Sequence, residues 1–510
     1  MEGTLSRRGL FRAGAGAALA GGAVSLLGSI EASADTGASF VPADPDVHLL
    51  RRATYGVTPK LKTQIKAMGA DPWLDKQLAP ASIDDSSCEE LIANRFPGLS
   101  LGISKAVAEL ESGAWDLMFD LGVASIARAC WSRKQLLEVM VDFWSNHLNV
   151  TNPFDGGWAT RHDYDKKVIR KYALGRFEDM LVASATHPAM MLYLNNAEST
   201  KDLPNENYGR ELLELHSVGV GAGYSETDMY NSTLVMTGFG INWETQQFDY
   251  HPSAHYVGPV QVMSWSSENP NDRNGYEVGI SYVRYLAHHP STAHRIAYKL
   301  CERFVSDAPP DGLVNTLAGT YLANDTDIAP VLRKLLRSTA FANSIGQKVR
   351  RPMEDIVATV RALGIKPDAS GVDGLRGLYW MIEGLGNAPM NWPQPNGYPD
   401  VADSWRSAGG TLGRWNSHMS LAAHWWPSEL ILPSLDGLLP DPLPATYGGL
   451  IDSLAKRLVW RKLSVAHRDA ICAFLGETAD ARLRAGDEAV SWRLPYLVAL
   501  ILDSPYHFTR

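Results

Sequence analysis

Apolar residues recur every three to four positions along most of this chain, a spacing that predicts helices rather than strands. A short helix over 46–56 ends at Gly56. A second starts at Thr58-Pro59, where proline suits the first helical turn, and is closed after Met68 by Gly69. Residues 72–78 form a third. Long helical segments fill 103–150, including 133–149, and the pattern continues through 162–172 and 177–185. Asn205 to Gly219 reads as one further helix, with Gly219 as a left-handed stop.

Between about 232 and 283 the pattern breaks. Glycine, proline, asparagine, serine and aromatic residues dominate there, and 257–264 reads as a short strand or extended loop. Helical spacing resumes over 293–304, 311–322, 328–338 and 353–363. A loop over about 387–406, broken by Pro389, Pro393, Pro395 and Pro399, precedes the last helices, which end at Ile501. The predicted fold class is all-α, one large multi-helix domain over 35–510 with irregular, short-stranded inserts. No fixed-period repeat is visible.

The first 34 residues differ in kind. Ser6-Arg-Arg-Gly-Leu-Phe-Arg12 resembles a twin-arginine export signal, the run from Ala13 to Ile30 is weakly hydrophobic, and Ala32-Ser-Ala34 offers small residues for cleavage. The predicted compartment is therefore extracellular or the cell envelope, periplasmic where there are two membranes. No later run reaches the ~18 apolar residues of a membrane span. The leader carries Arg7, Arg8 and Arg12 against Glu2 and Glu31, so its removal takes the formal charge from −9 to −10. That balance argues against a nucleic-acid partner. Nothing in the sequence specifies an oligomeric state.

Cys88, Cys130, Cys301 and Cys472 lie too far apart for a metal-finger spacing. Export permits disulfides among them, while buried free thiols are the equal alternative for Cys130 and Cys301. Serine-elbow and phosphate-loop motifs are missing. Gly219, Gly221 and Gly223 lack the preceding strand of a dinucleotide site.

The densest chemistry lies in Asn205–Gly219. Asn207, Glu211 and Glu214 share one helical face, and two carboxylates a turn apart need a cation, water or a shared proton between them. Arg210 can supply the charge from the same helix, and so can a bound divalent metal. His147 closes a helix, where the dipole favours it, and a ligand or base delivered there is the functional alternative. His216 precedes Gly219 by three residues but sits on the far side of the helix from Glu214. Arg161 and Asp163 open another helix within a short loop of His147.

Several motifs in order resemble one bacterial family, that of domain of unknown function 1800. They begin with Leu49-Leu-Arg-Arg-Ala-Thr-Tyr-Gly-Val-Thr-Pro59 and Gly69-Ala-Asp-Pro-Trp-Leu-Asp-Lys-Gln-Leu78. Phe143-Trp-Ser-Asn-His147, Val168 to Phe177 and His187 to Leu194 follow. After Asn205–Gly219 come Tyr224, Asp228 and Thr237-Gly238, then Gly397-Tyr-Pro-Asp400 and Trp405. The resemblance runs from about 44 to 508 and implies an exported, mostly helical protein, without indicating a reaction. The resemblance implies His-Asp-x-Gly-x-Lys where this chain reads His255-Tyr-Val-Gly-Pro-Val260, so a site that used that Asp or Lys would be altered here.

Three functions follow as expectations. The first is an extracytoplasmic hydrolase acting on an envelope or extracellular polymer, carbohydrate above all. Its catalytic residues would be Glu211, Glu214, Asp163 and His147, and its substrate contacts Asn207, Arg210, Arg161 and His255. The second is a metal-binding redox or oxygen-handling protein with His147, Glu214 and His216 as ligands. The third is a non-catalytic envelope scaffold. A site would require Glu211 and Glu214 to enter one concave pocket with His147, the 161–163 turn, Arg210 and His255, and with Trp158, Trp243 or Trp392 at its rim.

Overall fold

The computed structural model describes residues 40–110, 115–154 and 156–510, and these belong to one compact unit, Ser39–Arg510. The expected export signal and its cleavage site lie outside the described residues. The protein is predominantly α-helical, with two small antiparallel hairpins among the described residues.

Helix boundaries follow local chemistry. Asp44 caps Pro45–Ala53 by accepting from the amides of Asp46 and Val47 at 2.9 and 3.1 Å. Thr58 caps Pro59–Met68, and Gly69 at φ +86° ends it. The 103–150 region resolves into Ile103–Glu109, Trp115–Trp131 and Gln135–His147. Gln135–His147 runs through the core, burying Leu136, Val139, Met140 and Trp144. Each such aliphatic side chain contributes roughly 1.5–3 kcal/mol on full burial. The Trp144 indole donates to Ala173 O at 2.9 Å and its ring stacks on Phe177.

Two helices depart from the regular period. Arg161–Tyr164 passes into a π segment at Asp165–Arg170, and Glu206–Glu211 into another at Leu212–His216. The second wide turn is held by the Ser217 hydroxyl, which donates to Leu212 O at 2.5 Å, and by Gly219 N, which donates to Leu213 O. Such turns re-aim side chains and recur at functional sites.

The irregular insert is narrower than the composition suggests, because Glu226–Val235 and Gly275–His288 are helices that occupy its edges. Between them Phe239–Asn242 pairs with Gln247–Tyr250, and Val260–Val262 with Trp265–Ser267. Over 387–406 the chain is irregular except for a 3₁₀ turn at Ala402–Trp405. All four cysteines are buried and free, which removes the disulfide alternative. Burial pushes the thiols of Cys88, Cys130 and Cys301 up to about 12, so they pack as small apolar groups. Among the described residues no helix is long and apolar enough to cross a membrane.

Candidate active site

The Asn205–Gly219 stretch balances much of its charge within itself. Asn205 caps the helix through the Asn207 amide, leaving the Asn207 side chain exposed. Arg210 bridges Glu206 and Glu214, each at 3.5 Å, as a surface ladder of i,i+4 pairs. Glu214 also accepts from the Tyr224 hydroxyl, whose pKa is raised by burial and by that carboxylate. Glu211 keeps part of the expected chemistry: burial, then the Glu214 charge, raises its carboxyl against the pull of Arg210.

The other expected members do not join this pair. Asp163 is buried and accepts from His187 Nε2 at 3.2 Å and Lys167 Nζ at 2.9 Å. Burial would raise its carboxyl, but these partners hold it below its usual value. His187 Nδ1 accepts from Ala189 N, so Nε2 carries the proton and the imidazole is neutral. Burial likewise lowers the His187 pKa. Arg161 is fully buried, donates to Val150 O at 2.9 Å and lies over the Tyr164 ring, out of reach of a substrate. His255 is sealed between Thr237 O and Asn269 Oδ1 at 2.8 and 3.1 Å, where it fastens the two hairpins. Trp158 packs edge-on against Trp115, and Trp243 is exposed in a hairpin turn.

His147 and His216 do meet, but through the His216 backbone carbonyl in a buried contact rather than as a metal set. His147 Nε2 lies 3.1 Å from His216 O and must donate to it, which leaves Nδ1 to accept from Lys299 Nζ at 3.3 Å. Burial and the nearby Lys299 and Arg295 charges hold His147 well below its ordinary value. Burial, Arg295 and Lys299 bring His216 to about 3. Glu214 points instead to Arg210 and Tyr224, since two residues span nearly half a turn even where the helix widens. Among the described residues, His147, Glu214 and His216 form no convergent ligand group.

A pocket of about 250 Å³ lies on the Lys299 side of this contact, lined by separate segments. Gln135–His147 supplies Asp142 and Asn146, Pro290–Phe304 supplies Lys299, Glu302 and Arg303, and the 392–400 loop supplies Trp392 and Asp400. The loop is moulded to the helix. Tyr398 N donates to Asn146 Oδ1 at 2.9 Å, and Gly397, at φ +70°, passes so close that a Cβ there would sit 2.1 Å from Asn146 O. The Trp392 indole donates to Asn396 Oδ1 at 2.8 Å and fixes its ring at the wall.

Beneath the pocket Arg303, Arg351, Arg510 and Lys348 face Asp142, Asp307, Glu354 and Asp400. Arg303 pairs with Glu354 and, at 3.4 Å, with Asp400, and Arg351 with Asp142. Arg510 bridges Glu354 and Asp400 at 3.1 and 3.4 Å, and Lys348 lies 2.5 Å from Asp307 and 3.6 Å from Asp400. Burial would raise Asp400, but Arg303, Lys348 and Arg510 hold it below its usual range.

Two groups stand outside this balance. Glu302 has no hydrogen bond or ion pair among the described residues, and burial followed by the Asp400 charge raises its carboxyl. Lys299, one turn earlier, has no carboxylate within ion-pair distance among them. Burial and the Arg295 charge lower its amine to about 8. Lys299 also lines a second cavity, of about 620 Å³, beside Val218–Ala222. The pocket thus offers a carboxyl biased toward its acid form, a carboxylate kept ionised and an amine biased toward neutrality.

Sequence reading passed over Glu302 and Lys299 because 293–304 registers only as an amphipathic helix. Their signal was a cluster of Lys299, Glu302 and Arg303 at one-turn spacing. Asp142, Asn146 and Asp400 sit in or beside motifs of the family resemblance, which gave them no role, and Trp392, expected at the rim of a pocket around Glu211 and Glu214, lines this one instead. No curated protein and no solved structure matches the chain. The family described as "Protein of unknown function (DUF1800)" matches residues 48–509. The run of shared motifs from Leu49 to Trp405 is thus part of a match over nearly the whole chain, and the protein belongs to that family.

Proposed function

We propose that the protein is an acid/base hydrolase acting on an extracytoplasmic polymer, with carbohydrate as the substrate class. The observation that carries this is the pairing of Glu302 and Asp400 in one pocket, with their carboxyl groups biased in opposite directions. Glycosidic cleavage needs such a division: a protonated carboxyl for the leaving oxygen and an ionised one for the opposite face. Glu302 is the proton donor in this reading, and Asp400 the nucleophile or general base. Trp392 offers an aromatic face to a sugar ring, and Asn146 and Asn396 are amides of the kind that bind hydroxyls. The export-like leader supports a substrate outside the cytoplasm.

The test is incubation of the purified protein with a panel of cell-wall glycans and plant and bacterial polysaccharides, reading new reducing ends. Glu302→Gln is expected to remove product while leaving the thermal midpoint near wild type, because Glu302 holds no structural partner among the described residues. A Glu302→Gln protein as active as wild type, or no product anywhere on the panel, overturns the assignment. Activity should fall as pH rises through the raised Glu302 value, since the acid form is the working one.

A further inference from the structure

A second cluster of chemistry-bearing side chains lies away from the pocket, where three elements cross. Asp355 comes from the first turn of Pro352–Leu363, His418 from Ala408–Ala422, and His507 from Pro505–Phe508. Their side chains are only 1–3 % exposed. His418 Nε2 lies 3.2 Å from Asp355 Oδ2, and His507 Nε2 3.3 Å from Asp355 Oδ1, one carboxylate oxygen toward each ring. All three donor atoms fall within 4.8 Å of one another.

The distances are those of hydrogen bonds, but the alignment is not. Asp355 Oδ1, Asp355 Oδ2 and His418 Nε2 are all buried without an aligned hydrogen-bond partner among the described residues. Three polar atoms held at one point only by misaligned ion-pair contacts leave bonding capacity unmet, at a cost of up to roughly 1–3 kcal/mol each. A shared ion removes that cost. Donors 2.0–2.2 Å from a tetrahedral ion stand roughly 3.3–3.6 Å apart, close to the two separations found here. His418 is also oriented as a ligand would be, its Nδ1 lying 2.8 Å from Asp503 Oδ1 in a carboxylate–histidine arrangement.

We propose that Asp355, His418 and His507 bind a divalent transition metal, zinc by preference, in a closed structural site. Two imidazoles and both oxygens of the Asp355 carboxylate, one facing each ring, give four donors that suit a buried zinc ion. Asp355 and Asp503 together balance the ion's charge. Arg414, 3.8 Å from Asp355 Oδ2, and Arg350, which donates to His507 O, bound the site on the remaining sides. His507 Nε2 also lies 3.0 Å from Thr359 Oγ1 and 3.4 Å from the Asp355 backbone O. The other Asp/Glu/His group, Glu178 with His288 and Asp325, differs in kind: Arg176 and Arg284 already pair its carboxylates. The metal's role is to tie the last helix to the pocket floor. His507 is a ligand and Arg510, three residues on, pairs with Glu354 and Asp400, while Glu354 adjoins ligand Asp355.

Elemental analysis of the full chain purified without chelators should find about one zinc per chain. His418→Ala and His507→Ala should lose it, and Asp503→Asn should weaken zinc affinity by about 10–100-fold. Dipicolinate treatment of the wild type should lower the thermal midpoint, and added zinc should restore it, which decides the matter even if the variants fail to fold. Glu302→Gln should keep full metal content, so this test stands or falls apart from the hydrolase reading. Metal-free wild type whose midpoint ignores dipicolinate and zinc, or undiminished zinc in folded His418→Ala, overturns the proposal.

Discussion

Two acidic pairs in this protein have opposite fates. Glu211 and Glu214 lie in the most charge-dense stretch of the sequence, yet Glu214 pairs with Arg210 and Tyr224 at the surface. Glu302 and Asp400 are nearly a hundred residues apart, yet they line one pocket. A single helix sets its charges at i and i+4, where they satisfy each other in solvent. A pocket takes one side chain from each of several segments and so brings together groups that cannot all be neutralised locally. Charge density along a chain therefore marks a self-paired surface more readily than a site.

The largest effect that can break this comparison is catalytic. On a substrate identified from the glycan panel, Glu302→Gln should lower kcat by about 10²–10⁴, the usual worth of a general acid. Glu211→Gln should leave kcat within about threefold, because it removes no group from the pocket. The reverse order would return the site to the Asn205–Gly219 helix.

The second effect concerns the pocket floor. Glu354 is 4 % exposed and pairs with Arg303 and Arg510, so Glu354→Gln leaves two buried guanidinium groups short of a partner. Breaking a buried pair of this kind costs about 3–5 kcal/mol. It should appear as a lower urea midpoint with an unchanged slope. A shift below about 1 kcal/mol would mean that the floor is open to water.

Asp163 gives a smaller effect and a pH signature. Its hydrogen bonds from neutral His187 and from Lys167 hold its folded pKa below the unfolded value, so their stabilisation is present above about pH 4. It is lost as pH falls through the folded value. Asp163→Asn should cost about 1–3 kcal/mol near neutrality and progressively less toward pH 3, followed by urea unfolding at each pH. A loss of activity with no change in stability would instead restore the catalytic role expected from its place beside His147.

Fold and site were legible to different degrees for a physical reason. Helices such as Pro59–Met68 carry their boundaries in their own residues, in the Thr58 cap, Pro59 and Gly69. The π turns at Asp165–Arg170 and Leu212–His216 leave no such mark, because a single widened turn barely alters the apolar spacing. That turn helps set His216 toward His147 while Glu214 stays at the surface. The His147–Lys299 contact joins residues 152 positions apart and was set by tertiary packing alone. His255 shows the converse. Its motif suggested a site, but its partners, Thr237 and Asn269, are a backbone carbonyl and an amide that seal it within the insert.

The smallest predicted effect is the sharpest test of the surface-ladder reading. Arg210 is 38 % exposed and its contacts to Glu206 and Glu214 are both 3.5 Å, longer than good charge-assisted bonds. Pairs of that exposure and length are screened by solvent and worth about 0.3–0.5 kcal/mol each. Glu214→Gln also relieves its repulsion of Glu211, whose carboxyl it helps to raise. The two terms oppose, so the net change in stability at pH 7 should stay within about 0.5 kcal/mol. The Glu211 carboxyl should move down toward its ordinary value, which carboxyl NMR titration of the variant would follow. A Glu214→Gln protein destabilised by several kcal/mol would show that the helix face is buried against a partner that its surface geometry does not include.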